Sequence, residues 1–294
     1  MLNVVEALRS PLASQLLPDI RRLVIGDLTF ACFSCPATDG WEGSWAEHDR
    51  LVHITSGRKL LKTATGIVEI GPGDIVFVKK GAHFVRHDDS DLCVFMYFIP
   101  DDFIRTAVRE IAADLPVLPP PADSPEIAIR VKDDPGVNAF LQAMTVYFSS
   151  GDAPSTLLLK LKVKELIASI VVSRTNPVLS AYLRMVASSD SPSIPAIMEA
   201  NCCHNLSLEE FAKLCSRSLS TFKRDFRRHY GTSPGRWLLE RRLECSARLL
   251  TTTSMNVTEI VFECGFEQPS HFSRAFKARF GRTPSEYRQT RVAA

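Results

Sequence analysis

The 294-residue chain has no run of about 18 uninterrupted apolar residues, so no membrane-spanning helix is expected. Its first residues, MLNVVEALRSPLAS, lack a basic lead, an apolar block and a small-residue cleavage site, and no secretory signal is read. Without an export signal, the eight cysteines (Cys32, Cys35, Cys93, Cys202, Cys203, Cys215, Cys245 and Cys264) imply a reducing cytoplasm rather than a disulfide framework. Several fall inside apolar helical patterns, where Cys acts as a small hydrophobe. There is no H-x-H pair, and no Glu follows His53 at ligand spacing. His48, His53, His83 and His87, with Glu47 and Asp49, are therefore read as core or surface residues rather than ligands of a catalytic metal. Cys32-Phe33-Ser34-Cys35 has no second C-x-x-C to complete a tetrahedral site, and positions 32 and 35 of a strand face opposite ways. No catalytic residue, metal or cofactor is assigned.

What is present divides the chain in two. Apolar residues make up 45%, enough for real cores, and the length favours two domains. Residues 201–294 hold 16 Lys+Arg against 9 Asp+Glu, a net +7, which leaves −5 for the first 200. A basic back and an acidic front imply that only the back meets a polyanion.

Between about residues 20 and 100, short β-rich pieces alternate with Gly, Pro and Asp: LVIGDLTFACFS, RLVHIT, IVEI, DIVFV and LCVFMYFI. That spacing predicts a small antiparallel sandwich or barrel. After Pro100 the pattern turns helical, with Asp101 able to cap DDFIRTAVREIA. A Pro-rich loop is expected at 117–126, then helices near 136–149 and 155–173. In the last of these Leu159, Val163, Leu166, Ile167 and Ile170 form one stripe, which fits either packing onto the strand domain or a homodimer interface. The predicted division is residues 1–174 as a β domain with a helical tail, 175–190 as a linker containing a short helix, and 191–294 as an all-α domain.

Inside that last domain the chain repeats itself. At an offset of 50, FKRDFRRHYG (222–231) aligns with FSRAFKARFG (272–281), and Gly231 and Pro234 align with Gly281 and Pro284. Upstream, LSLEEFAKL (206–214) parallels VTEIVFEC (257–264). Each unit reads as helix, tight turn, helix, and two units are too few for a solenoid, so two helix-turn-helix modules are predicted. Phe222, Phe226, Phe272 and Phe276 should be buried, with either Pro269 or Ser270 opening the last helix of the pair. That leaves Ser220, Thr221, Lys223 and Arg224, and Ser270, His271, Ser273 and Arg274, facing out at helix starts, where a major-groove helix reads base edges. Arg227, Arg228, Lys277 and Arg279 lie further along and suit phosphate contacts, which position without reading sequence. Between the modules, Trp237, Leu238, Leu243, Ala247, Leu249 and Leu250 predict a long linker helix that fixes the separation of the two reading helices.

At these residues, from Ile194 to Arg291, the chain resembles the AraC/XylS family of bacterial transcription regulators, through GFEQPSHFSRAFKARFGRTPSEYR and RRLECSARLL. It departs from the family pattern at Val261 (usually Ala), at Cys215-Ser216 (usually Gly and an apolar residue) and at Pro269 (often a polar base-contacting residue). GPGDIVFVKKGAHF (71–84) is similar to the family's cupin-like sensor domain, and LLLKLKVKELIASIVVS to the branch that activates type III secretion genes. The resemblance implies a cytoplasmic activator that binds double-stranded promoter DNA, recruits RNA polymerase and answers an effector, a small molecule or a partner protein, through its N-terminal domain. Two other readings compete. A cupin-type metal-dependent enzyme or sensor with an accessory helical domain lacks the ligand pattern. A pure protein-interaction module does not account for the +7 charge or the doubled helices.

Overall fold

In the strand Leu92–Ile99, Val94, Met96 and Phe98 point to one side and Phe95, Tyr97 and Ile99 to the other, and both sets are buried. LCVFMYFI reads as an unbroken apolar run because this strand is covered on both faces. It sits inside one of two facing sheets in a computed structural model that describes residues 1–17, 19–63, 66–88, 91–115, 126–150 and 154–292. The six-stranded sheet runs β11 (Ala128–Arg130), β8 (Ile75–Val78), β5 (Asp49–Ser56), β10 (Leu92–Ile99), β3 (Leu28–Cys35) and β2 (Arg21–Ile25). The five-stranded sheet runs β1 (Leu2–Asn3), β4 (Glu42–Ala46), β9 (Gly81–His87), β6 (Lys59–Thr63) and β7 (Gly66–Ile70). All pairings are antiparallel except β1 with β4.

One core fills the space between the sheets, from Ala31, Val52, Ile54, Leu61, Val85 and Phe98 among others. A second core lies on the outer face of the six-stranded sheet under helices α3 (Asp101–Glu110), α4 (Pro135–Ser149), α5 (Thr156–Val172) and α6 (Pro177–Ser188). Two short N-terminal helices, α1 (Val4–Arg9) and α2 (Ala13–Leu16), complete this unit. Cys32 packs against the outer core and Cys35 lies in the inner one, so the C-x-x-C pair is split by the sheet.

The structure corrects several expectations here. LVIGDLTFACFS is a hairpin, broken at Gly26 with φ +57, rather than one strand. Asp101 is the first residue of α3, preceded by Pro100, and its carboxylate pairs with Lys80 instead of capping the helix. The predicted loop at 117–126 lies, but for Glu126, outside the described residues. The stripe Leu159, Val163, Leu166, Ile167 and Ile170 is buried in the outer core and so is spent on internal packing, whereas Leu157, Leu158 and Leu161 on the other side of α5 are 65%, 51% and 51% exposed.

Residues 175–190, expected as a linker, are mostly α6, and α6 belongs to the N-terminal unit. The cause is apolar: Leu179, Leu183 and Val186 enter the outer core, and Tyr182 reaches Asp49 on β5. The division between the two compact units falls between Ser191 and Pro192.

The C-terminal unit is all helical: α7 (Ile194–Asn201), α8 (Leu208–Leu214), α9 (Leu219–Tyr230), α10 (Pro234–Thr252), α11 (Val257–Glu263), α12 (Pro269–Phe280) and α13 (Pro284–Val292). Among the described residues no helix is long and apolar enough to cross a membrane.

Candidate nucleic-acid interface

The two modules are built on the same local chemistry. α8 opens with a capping box in which Ser207 Oγ accepts from the Glu210 amide (3.2 Å) and Glu210 Oε2 from the Ser207 amide (2.7 Å). α11 opens the same way through Asn256 and Glu259, at 2.9 and 2.7 Å. Both helices end in a left-handed residue with the paired Schellman bonds: Arg217 N to Ala212 O and Ser216 N to Lys213 O, then Phe266 N to Val261 O and Gly265 N to Phe262 O. Ser216 holds φ +52 where the second module has Gly265 at φ +77. Serine can bear that conformation at a cost, but Gly265 could not be replaced as simply. A Cβ there would lie 2.8 Å from the Cys203 carbonyl oxygen.

The second helices match too. α9 and α12 each close on a left-handed glycine, Gly231 and Gly281, whose amides donate to Arg227 O and Lys277 O. Phe222, Phe226, Phe272 and Phe276 are all fully buried, as the repeat predicted. Phe226 packs on Tyr230 and Trp237, with ring centroids at 4.5 and 6.0 Å, and Phe276 packs on Phe280 and Tyr287, at 4.6 and 5.3 Å. Trp237 and Tyr287 are 50 residues apart, so the repeat reaches further than the motif read from the sequence, hidden because Trp and Tyr differ as letters but do the same packing. Pro269, not Ser270, opens α12, while Ser218 Oγ caps α9 by accepting from the Thr221 amide.

This burial turns the other faces outward. Ser220, Lys223, Arg224, Arg227 and Arg228 on α9 are exposed, with Thr221 half-buried; on α12 Ser270, His271, Arg274, Lys277 and Arg279 are exposed, with Ser273 half-buried. The cations differ in their company. Asp225 lies 3.4 Å from each of Arg217, Arg224 and Arg228, so two of the candidate contacts on α9 share one carboxylate. Arg279 pairs with Glu240 at 3.3 Å. Lys223, Arg227, Arg274 and Lys277 make no ion pair among the described residues.

The modules are braced to one another. α10 spans 19 residues, about 28 Å at the rise of an α-helix. Trp237 and Leu238 at its start are buried, Trp237 under the first module, and Leu243, Ala247 and Leu250 enter the core of the second. From its middle, Arg242 donates to the carbonyl oxygens of Cys202 and His204, both at 2.8 Å. Asn205 Nδ2 donates to Glu267 Oε1 at 2.9 Å, tying the approach to the first module to the turn of the second. These bonds join residues 38 to 62 positions apart, which no local sequence pattern reveals.

The histidines considered as ligands are scattered. His53 stacks on Phe95, His83 contacts Ser44 Oγ (3.1 Å) and Arg50, and His87 pairs across the sheet with Lys59. Burial lowers the His48 imidazole below its ordinary range. Among the described residues no group of three or more His, Cys, Asp or Glu is arranged to hold a metal ion.

The chain is similar to several known proteins. A helix-turn-helix domain model matches residues 211–290, and a model of the ExsA N-terminal regulatory domain matches residues 49–182. The chain is 26% identical over 246 residues to the virulence regulon transcriptional activator VirF of Yersinia enterocolitica, covering 83% of this chain and 90% of VirF. It is 27% identical over 232 residues to the HTH-type transcriptional regulator ExsA of Pseudomonas aeruginosa, covering 75% of this chain and 78% of ExsA. A crystal structure of apo ToxT from Vibrio cholerae aligns over 89% of this chain and 96% of its own, with TM-score 0.42 and 14% identity.

Proposed function

We propose, from the premise that this chain belongs to the AraC/XylS family of transcription regulators, in the branch of VirF and ExsA, that it reads two successive major grooves of promoter DNA with α9 and α12. It is a DNA-binding transcription regulator of the activator kind. The observation that carries the finer reading is the pair of matched helices, each with a polar, cationic face turned out, held on the single helix α10. Major-groove faces of B-DNA recur every ~34 Å, and a brace of about 28 Å brings two helices into that range.

In this reading Ser220, Thr221, Lys223 and Arg224 face one set of base edges, and Ser270, His271, Ser273 and Arg274 face the next. Pro269, at the first turn of α12, has no amide or polar side chain to offer a base. Arg227, Arg228, Lys277 and Arg279 lie toward the helix ends and neutralise phosphates. The protein works in the cytoplasm, recruits RNA polymerase and is controlled through its N-terminal unit by a partner protein or small molecule. A homodimer would form through the exposed Leu157, Leu158 and Leu161 face of α5, the buried stripe being occupied.

Titration of a labelled promoter fragment at increasing salt tests the proposal. Counterion release makes log affinity fall steeply and linearly with log salt when several cations meet phosphates. A flat response, or no retained fragment at low salt, would remove the DNA-reading role.

A further inference from the structure

At the offset of 50 that aligns α9 with α12, Arg224 stands against Arg274, but the next residue differs: Asp225 on α9, Ala275 on α12. The Asp225 side chain is only 16% exposed, and its carboxylate is the hub of three guanidinium groups. Its Oδ2 lies 3.4 Å from Arg217 Nε, while its Oδ1 accepts from Arg224 Nε and from Arg228 Nη2, both at 3.4 Å. Arg217 is itself fixed to the turn before α9, where its Nη1 donates to Cys215 O at 2.8 Å and to Pro192 O at 3.0 Å. One carboxylate oxygen is therefore tied to the frame of the first module, and the other holds two outward arginines. Alanine at 275 offers Arg274 no such partner, and Arg274 makes no ion pair among the described residues.

The donor atom matters chemically. Arg224 uses its Nε on Asp225 and keeps both terminal Nη groups, the pair that meets O6 and N7 of guanine side by side. A carboxylate behind the guanidinium also restricts a rotamer-rich side chain before binding, which lowers the ordering cost at the interface. On the premise that α9 reads DNA as proposed above, we propose that Asp225 is a specificity-determining residue that positions Arg224 for a bidentate bond to a guanine. The same carboxylate offsets the charge of Arg224 and Arg228, which would otherwise attract phosphates of any sequence. Asp225 thus favours the right base and weakens binding to the wrong duplex. α12 lacks the device, so the two modules discriminate unequally.

The test titrates the full chain against a promoter fragment with each base pair replaced in turn, and against an unrelated duplex. Wild type, Asp225→Asn, Arg224→Ala and the double variant are compared. Asp225→Asn keeps the shape and removes the charge. It should lose about tenfold in discrimination at the one G·C pair where Arg224→Ala also loses it. It should also bind the unrelated duplex more tightly, with a salt slope steeper by about one as Arg228 is released to a phosphate. At that G·C pair the double variant should match Arg224→Ala, since Asp225 acts through that arginine, whereas general damage to the module would add a further loss. Thermal melts establish folding, and Asp225→Ser, which can still hydrogen-bond Arg217, takes over with the same expectations should Asp225→Asn not fold. If wild type binds the promoter with a steep salt dependence, the DNA-reading role stands. In that case an Asp225→Asn profile identical to wild type, or losses at base pairs that Arg224→Ala leaves alone, overturns the present proposal by itself. A wild-type chain that retains no promoter fragment removes both.

Discussion

The Tyr182 hydroxyl donates to both carboxylate oxygens of Asp49, at 3.0 and 2.8 Å, and thereby pins α6 to the sheet. Asp49 is fully buried; burial first, and the nearby Asp101 charge second, push its carboxyl up to about 6. Tyr182→Phe removes one donor and leaves that carboxylate short of a partner, so it should cost the N-terminal unit about 1–3 kcal/mol. Chemical denaturation of the full chain with a probe in that unit measures it. An unchanged midpoint would mean that water replaces the phenol without loss.

This same pair accounts for a feature the sequence concealed. Leu179, Leu183 and Val186 do show helical spacing, but a helix with an apolar stripe can pack on either side of a domain boundary. Its partner surface, Asp49 and the outer core, lies more than 130 residues upstream, and only the folded sheet brings it near. The doubled phenylalanines were legible because a repeat carries its own control: each copy states what the other should do. The strands β4, β6 and β9 were harder to see, because their polar members Ser44, Lys59 and His83 are buried rather than displayed. Arg242, read only as part of a family string, became meaningful once the carbonyls of Cys202 and His204 were found against it.

His87 gives a pH-dependent prediction. Burial, and then the charge of Lys59 opposite, push its imidazole down to about 4. The folded value lies below the unfolded one, about 6.5, so the stabilisation is complete above 6.5 and is lost as pH falls toward 4. The full swing is roughly 3 kcal/mol. Asp49 acts oppositely, since its raised value favours the folded state as pH drops from about 6 toward 4. The difference between wild type and His87→Gln, in melts from pH 7 to 4, cancels that second effect. The variant should be the less acid-sensitive of the two; equal slopes would leave His87 without a role.

The proposed base-reading and phosphate-binding residues should separate in a promoter scan. Lys223→Ala and Arg274→Ala are expected to weaken binding at particular base pairs by about 1–3 kcal/mol. Arg227→Ala should weaken all sequences alike and reduce the salt slope by about one. Three identical mutational profiles would sink this division of labour.

Phe276→Ala should cost about 3–5 kcal/mol, because its fully buried ring packs on Phe272, Phe280 and Tyr287 and its removal opens a cavity among them. Phe262→Ala is the matched control: that ring is 54% exposed, and its loss should stay within about 0.5 kcal/mol. Thermal melts of the two variants side by side give the contrast, which similar midpoints would contradict.

Because α10 supplies core residues to both modules, neither can be cut away as a self-sufficient half. A truncation on either side of it strips the remaining partner of an apolar wall. If the two helices read DNA as proposed, selection on one is never wholly independent of the other: a substitution in the shared rod is inherited by both, and operator preference would drift only through the surface letters that rod leaves alone.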